Sequence, residues 1–385
     1  MTPTAHLTLR WQDLGQKRSE WSGFGKNWAG FHYTFSARAA LYQLLRSMPR
    51  GRGDTILLPA FHCITVVEPV LRAGYKVRFY RIRQDLSMDP EDLGNQMGGD
   101  VAAILVVHFL GFPAALDPVL RLRNQYGCFL IEDWAHSFLT GPMPHIPGEN
   151  GDFALFSFYK LAPSFAGGGL RINTPVDWLK MSRHGAGWRQ TAIAAKRMLE
   201  QVVDNSTHKR LNAGFQALER WRVAKKRESL SSSSSVSVQT DQPNQSWTEH
   251  LATARIPWIC RKVLESSEWQ RIFELRQRNY LLFVRHLNEH DRLRKLIPSL
   301  PAEVCPWAFP VWLQARAEHD IQLRARGVPL FTFGETLHPS IAQCPMAARE
   351  DAEELADHLL LLSVHQNLSP EDIGRTCKLI NDFFA

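Results

Sequence analysis

Two short segments hold the reactive side chains of this sequence: Ile131-Glu132-Asp133-Trp134-Ala135-His136, and Phe156-Ser157-Phe158-Tyr159-Lys160, followed by Pro163 and Gly167-Gly168-Gly169. A lysine just after an apolar strand and close to a glycine run can be desolvated. Its pKa falls, and the neutral amine can attack a carbonyl as a Schiff-base nucleophile. The plainer alternative is a surface lysine in a turn. Asp133, at the end of a core strand, can hold a protonated ring nitrogen, and His136 can reach the adjacent ring oxygen. As a lone pair, an Asp and a His at this spacing are more often a cap and a satisfied polar contact. Ser157 and the helix start at Ser36-Ala37-Arg38 supply donors for a phosphate.

These groups need a scaffold that brings strand ends together. From Phe35 to Asn173 short apolar or β-branched runs alternate with amphipathic segments, the pattern of βα units around a mostly parallel sheet. The spacing predicts a helix capped by Ser36, a strand Thr55–Leu58 stopped by Pro59, a helix Thr65–Ala73 ending at Gly74, and a strand Lys76–Arg81. It goes on to a helix near Pro90–Leu93, a core strand Ala102–His108, a Gly111-Phe112-Pro113 turn, a helix Asp117–Tyr126 and a strand Cys128–Glu132. Residues 178–227 read as basic helix, and 229–246 as a serine-rich loop too polar to pack. Beyond it lie an amphipathic helix Trp269–Leu287, an alternating segment Trp307–Leu313, and helices Glu350–Leu361 and Pro370–Phe384. Ligands of open α/β sheets bind where strands end, and both reactive segments sit at such ends.

The chain has 385 residues, enough for two domains at roughly 100–200 residues each. With 44% hydrophobic and 22% charged residues it can bury a sizeable core, which excludes wholesale disorder. The net charge of +7 suits an anionic partner without choosing among nucleic acid, acidic lipid and a phosphorylated small molecule. The cysteines at 63, 128, 260, 305, 344 and 377 lack close pairing, so neither a zinc site nor a disulfide scaffold is expected, and a reducing cytoplasm suits them. Met1–Asp13 has no secretory pattern and Val101–Phe112 is too short to span a bilayer, so no membrane association is expected. Gly23-Phe24-Gly25-Lys26 lacks Rossmann spacing, and no P-loop or metal-ligand cluster is found.

A carbonyl-reactive lysine, a carboxylate for a pyridine nitrogen and donors for a phosphate are together what a pyridoxal phosphate site needs. The ordered segments SARAAL, GDTILLPAF, AGYKVRFYRI, VVHFLGFP, LIEDWAH, GDFALFSFYK and GGGL resemble the DegT/DnrJ/EryC1/StrS family of pyridoxal-phosphate enzymes, sugar aminotransferases of the aspartate aminotransferase fold. Weaker echoes follow in ELRQRNY, FPVW, RGVPLFTFGETLHP and LLSVHQNLSPED. The resemblance implies that Lys160 carries the cofactor and moves the proton, that Asp133 pairs with the pyridinium nitrogen, and that His136 contacts the ring hydroxyl where many members have Gln. It also places Ser157 and the backbone of Ala37 and Arg38 on the phosphate.

The sequence departs from the family in identifiable places. Lys160 stands three residues after Ser157, as in a shorter variant of the motif; Ala166 replaces the usual acidic residue; and the SGT turn is SAR, where Arg38 adds a charge to the phosphate or caps the helix. Cys63 stands where many members stack an aromatic ring on the cofactor, with Phe61 and His62 as alternatives. The expected architecture is an N-terminal arm 1–30, a large α/β cofactor domain 31–228 with a mostly parallel sheet, a serine-rich linker 229–250 and a smaller α+β domain 251–385. The resemblance implies transfer of an amino group from an amino-acid donor to a keto or aldehyde acceptor, plausibly a nucleotide-linked sugar, by a homodimer. Dehydration or deoxygenation on the same cofactor is the alternative chemistry, and members doing dehydration can lack the lysine. A third reading, a non-catalytic protein binding anions through its basic segment 208–227, has no recognised nucleic-acid fold to accompany it.

Overall fold

A parallel strand covered on both faces has no solvent side, so its sequence is an unbroken apolar run. Two such runs, Thr55–Pro59 (β2) and Val101–Val107 (β4), lie at the heart of a seven-stranded sheet. The computed structural model describes residues 31–141, 146–182, 184–204 and 247–385, with positions 5, 7 and 9. The basic segment 208–227, most of the N-terminal arm and the serine-rich stretch 229–246 lie outside the described residues.

The remaining strands of this sheet are β1 (Phe31–Thr34), β3 (Lys76–Tyr80), β5 (Phe129–Trp134), β6 (Phe153–Ser157) and β7 (Gly168–Ile172). Their order is β1-β7-β6-β5-β4-β2-β3. Neighbours from β3 to β6 are parallel, whereas β7 runs antiparallel to both β6 and β1. Parallel neighbours need crossovers, supplied by helices α1 (Ala37–Ser47), α2 (Ile64–Arg72), α3 (Pro90–Asn95) and α4 (Asp117–Tyr126). Helix α5 (Gly187–Asp204) begins only at Gly187, so the described residues among 178–186, expected to be helical, are not.

After the undescribed stretch come α6 (Glu249–Ala252) and α7 (Trp258–Ser266). They pack on the large sheet's side: Phe35 N–H donates to Ala254 O at 2.9 Å, and Cys260, Val263 and Leu264 share a core with Phe35 and Phe158. A second, antiparallel sheet follows, made of β8 (Leu293–Lys295), β9 (Ala308–Leu313), β10 (Leu330–Phe331) and β11 (Leu359–Ser363) in the order β10-β11-β9-β8. Helices α8 (Trp269–His286) and α11 (Pro370–Phe384) cover it through Tyr280, Phe283, Ile373 and Ile380, while α9 (Arg316–Ala325) and α10 (Met346–His358) join its strands. The fold class is therefore the expected one, a large α/β unit with a mostly parallel sheet plus a smaller α+β unit.

One element differs from its sequence reading. The helix expected over Glu350–Leu361 ends at His358, and Leu359-Leu360-Leu361-Leu362 enter β11 between β9 and β10. All four leucines are buried, so both faces of this strand are covered and the run carries no alternation to separate it from a helix.

Candidate active site

Strand register decides what meets at the carboxyl edge of the large sheet. Val107 pairs with Asp133, Asp133 with Leu155, and Ser157 with Gly168, so β4, β5 and β6 end together while the antiparallel β7 begins there. The first residue of β7 thus lies beside the last of β6.

This edge touches the start of α1. Ser36 has extended backbone (φ −156°) and caps the helix, its Oγ accepting from Ala39 N at 3.2 Å. Among the described residues the N–H groups of Ala37 and Arg38 have no acceptor, as expected at a helix start. A Cβ on Gly168 would stand 2.1 Å from Ser36 C and 2.3 Å from Ala37 N, so only glycine lets β7 come this close. Opposite Gly168, the buried Ser157 hydroxyl also has no partner among the described residues. Two backbone donors of a helix N-terminus and a hydroxyl therefore lie near one another, an arrangement that suits an anion. The Arg38 guanidinium turns elsewhere, to Glu68 Oε2 at 3.3 Å and the face of Trp247.

Lys160 closes a 3₁₀ turn, Phe158–Lys160, directly after β6. It and Asp133 are half-buried by exposure, yet burial is the largest influence on the pKa of each. Burial pulls the Lys160 amine down to about 8, against the opposing fields of Cys63 and Asp133. Burial likewise raises the Asp133 pKa, partly offset by the Ala135 N–H donated to its Oδ1 at 2.8 Å and by Lys160 and His108. His136 is buried, and its Nδ1 accepts from Leu110 N at 3.0 Å. That fixes a neutral imidazole with its proton on Nε2, and burial together with the Lys160 charge holds its pKa well below the usual histidine range. Of residues 61–63, which come just after β2 and Ala60, Phe61 is sealed against Phe109 and Phe333, and His62 hydrogen-bonds Ala60 O and stacks on Phe79. Cys63 alone stays partly open, and its field reaches both Lys160 and Arg38.

The structure also shows residues that the sequence reading passed over. His108, read only as the end of the core strand Ala102–His108, donates from Nε2 to Glu132 Oε2 at 3.1 Å, while its Nδ1 accepts from Ala114 N. Glu132 further accepts from Trp134 Nε1, Asn150 N and Gly151 N, so this buried carboxylate has four donors immediately behind Asp133. The smaller unit sends in Trp307, whose ring stacks on His136 at 4.4 Å and lies 4.3 Å from Lys160 Nζ, and Phe333, 5.9 Å from the same amine. Arg276 on α8 reaches the backbone of the lysine turn. The signal for His108–Glu132 was two ionisable residues on runs otherwise apolar. For Trp307 and Arg276 nothing in the local pattern points more than a hundred residues upstream.

Residues 32–181 match the model of the DegT/DnrJ/EryC1/StrS aminotransferase family. A spore coat polysaccharide biosynthesis protein, SpsC of Bacillus subtilis (strain 168), is 27% identical over 164 residues, covering 40% of this chain and 42% of the relative. The match thus spans less than half the length of that relative. Among solved structures, Helicobacter pylori PseC, an aminotransferase involved in pseudoaminic acid biosynthesis, superposes with a TM-score of 0.62 at 16% identity over 92% of this chain and 86% of its own. The sugar aminotransferase CalS13 from Micromonospora echinospora gives 0.61 at 15% identity over 99% and 100%. These two likenesses carry the fold across both sheets, and the family model covers the edge where Lys160, Asp133, His136, Ser157, Ala37 and Arg38 are gathered. Over residues 32–181 the chain is similar to the DegT/DnrJ/EryC1/StrS aminotransferase family.

Proposed function

We propose that this chain is a pyridoxal-phosphate-dependent aminotransferase moving an amino group from an amino-acid donor to a keto or aldehyde acceptor, with a nucleotide-linked keto sugar as the preferred acceptor. One observation carries the reading: the Lys160 amine, which makes no ion pair among the described residues, and the half-buried Asp133 act on each other electrostatically at the sheet edge that also presents Ser157 and the start of α1. The residues fit the cofactor. Ser157 and the N–H groups of Ala37 and Arg38 would hold its phosphate, Asp133 its ring nitrogen, His136 its ring hydroxyl and Lys160 its aldehyde carbon. When bound, pyridoxal phosphate supplies a carbonyl that captures amines and a ring that takes up the electron pair freed at the donor's α-carbon.

The protein's own groups do the rest. An amine with pKa about 8 is partly neutral at physiological pH, so Lys160 can take the proton leaving the donor's α-carbon and give it back. Asp133 presents a negative charge to a ring N–H in a poorly solvated place, where that charge counts for most. His136 presents an N–H donor that stays neutral, because its other nitrogen is committed to Leu110. The acceptor class is supported by the named roles of SpsC and PseC in polysaccharide and pseudoaminic acid biosynthesis. A homodimer acting in the cytoplasm is part of the same proposal.

Reconstitution with pyridoxal phosphate, borohydride reduction and peptide mass spectrometry should place the reduced cofactor on Lys160. Addition of glutamate to the reconstituted protein should release 2-oxoglutarate. An adduct on another lysine, or none, overturns the reading; an adduct on Lys160 without any half-reaction from common donors overturns transfer in favour of dehydration chemistry.

A further inference from the structure

We propose that the face of Trp307 is the resting place of the Lys160 ammonium, so that the smaller unit sets where the lysine waits between proton transfers. A buried ammonium ordinarily pairs with a carboxylate, and among the described residues Lys160 makes no such pair. Its Nζ lies 4.3 Å from the centroid of the Trp307 ring. An aromatic face attracts an ammonium and not a neutral amine, so this contact discriminates between the two states of the lysine.

The platform is rigid. Trp307 N–H donates to Leu110 O at 2.8 Å, its carbonyl accepts from Arg276 Nη1 at 3.2 Å, and its ring stacks on His136 with planes 19° apart. Leu110 stands at φ +58°, a strained conformation for leucine, and its two backbone groups bond His136 and Trp307, the two halves of that stack. The charged and titratable groups around the amine are Asp133 from β5, Cys63 ahead of α2 and neutral His136; Arg276 acts on the lysine carbonyl instead. The inference rests on Lys160 being the catalytic amine, and its test does not require the cofactor.

The test follows the ¹⁵N–¹H indole signal of Trp307 in the full-length chain from pH 6.5 to 10, assigned with Trp307→Phe. The expected result is a shift with its midpoint near 8, lost in both Lys160→Met and Lys160→Gln. No shift, or the same shift in both lysine variants, overturns the proposal. In turnover, Trp307→Leu should lower kcat about tenfold at unchanged donor KM, with Trp307→Phe restoring most of it. Equal losses in both variants, in step with Tm, would assign Trp307 to packing alone and overturn the resting place. Borohydride labelling of Lys160 without a lysine-linked Trp307 titration rejects this proposal only, while the converse rejects the cofactor assignment only.

Discussion

Arg276 donates from Nη2 to the backbone carbonyl of Lys160 at 3.1 Å, joining positions 116 residues apart. The same guanidinium, 1% exposed, bonds Pro306 O, Trp307 O and Gln366 Oε1, all neutral acceptors, and Gln366 in turn donates to Leu161 O. Burial draws its pKa down to about 10, which leaves it cationic at neutral pH. One planar fork therefore holds both the turn that carries the lysine and the strand entry that carries Trp307.

A lysine cannot reproduce that fork, because it offers one nitrogen in place of three. Arg276→Lys should cost about 2–4 kcal/mol in urea unfolding, since at least two buried carbonyls lose their donor. The yield of borohydride adduct on Lys160 should fall with it at fixed cofactor concentration.

Gly168→Ala should disable the anion cradle. The added methyl meets Ser36 and Ala37 backbone rather than a flexible side chain, so β7 or the start of α1 must move. A loss of about 1–3 kcal/mol is expected by chemical denaturation, with inorganic phosphate and pyridoxal phosphate both binding at least about tenfold more weakly. Unchanged phosphate affinity would remove the cradle from this place.

Asp133→Asn keeps the shape and removes the charge. Transfer should fall by about 10²-fold or more, measured as single-turnover formation of 2-oxoglutarate from glutamate. Thermal stability should hold or rise, because the carboxylate was buried at a cost.

Lys160→Met should stabilise the folded chain, raising Tm by about 2–4 °C at pH 7. The sign follows from the lowered pKa: between about 8 and the ordinary 10.5 the unfolded chain binds more protons than the folded one, so wild-type stability climbs with pH through that window. The advantage of the variant is full below pH 8 and vanishes above the ordinary lysine value. Parallel melting curves from pH 7 to 10.5 check this.

Glu132→Gln tests the support behind Asp133. Both carboxylate oxygens receive two donors, so an amide in either orientation turns its NH₂ against donors, at a cost of about 2–4 kcal/mol. His108 and the other donors hold the Glu132 carboxyl below its usual range against the opposing effect of burial. Its contribution is therefore complete above the ordinary glutamate pKa and is lost as pH falls through the lowered one, so an acid-unfolding curve should shift to higher pH in the variant.

The large sheet was legible in sequence because its strands are short apolar runs punctuated by Gly and Pro, as Thr55–Pro59 and Gly74 show. Lys160, Asp133, Ser157 and Ser36 were legible because each sits at the end of an element, where local pattern says what a side chain faces. The leucine run in β11 was not, since burial on both sides erases periodicity. Neither were His108–Glu132, which depends on which strands are neighbours, nor Trp307 and Arg276, which depend on how the smaller unit docks.

The reach of Arg276 has a consequence for the order of manufacture. During synthesis from the N-terminus, Lys160 and all seven strands of the large sheet are made more than a hundred residues before Arg276, and nearly two hundred before Gln366. A nascent chain can therefore hold its sheet while the lysine turn still lacks its clamp. The clamp on the Lys160 turn would arrive late, once the last quarter of the chain has emerged, so a half-made molecule holds this lysine without the arginine that fixes its backbone.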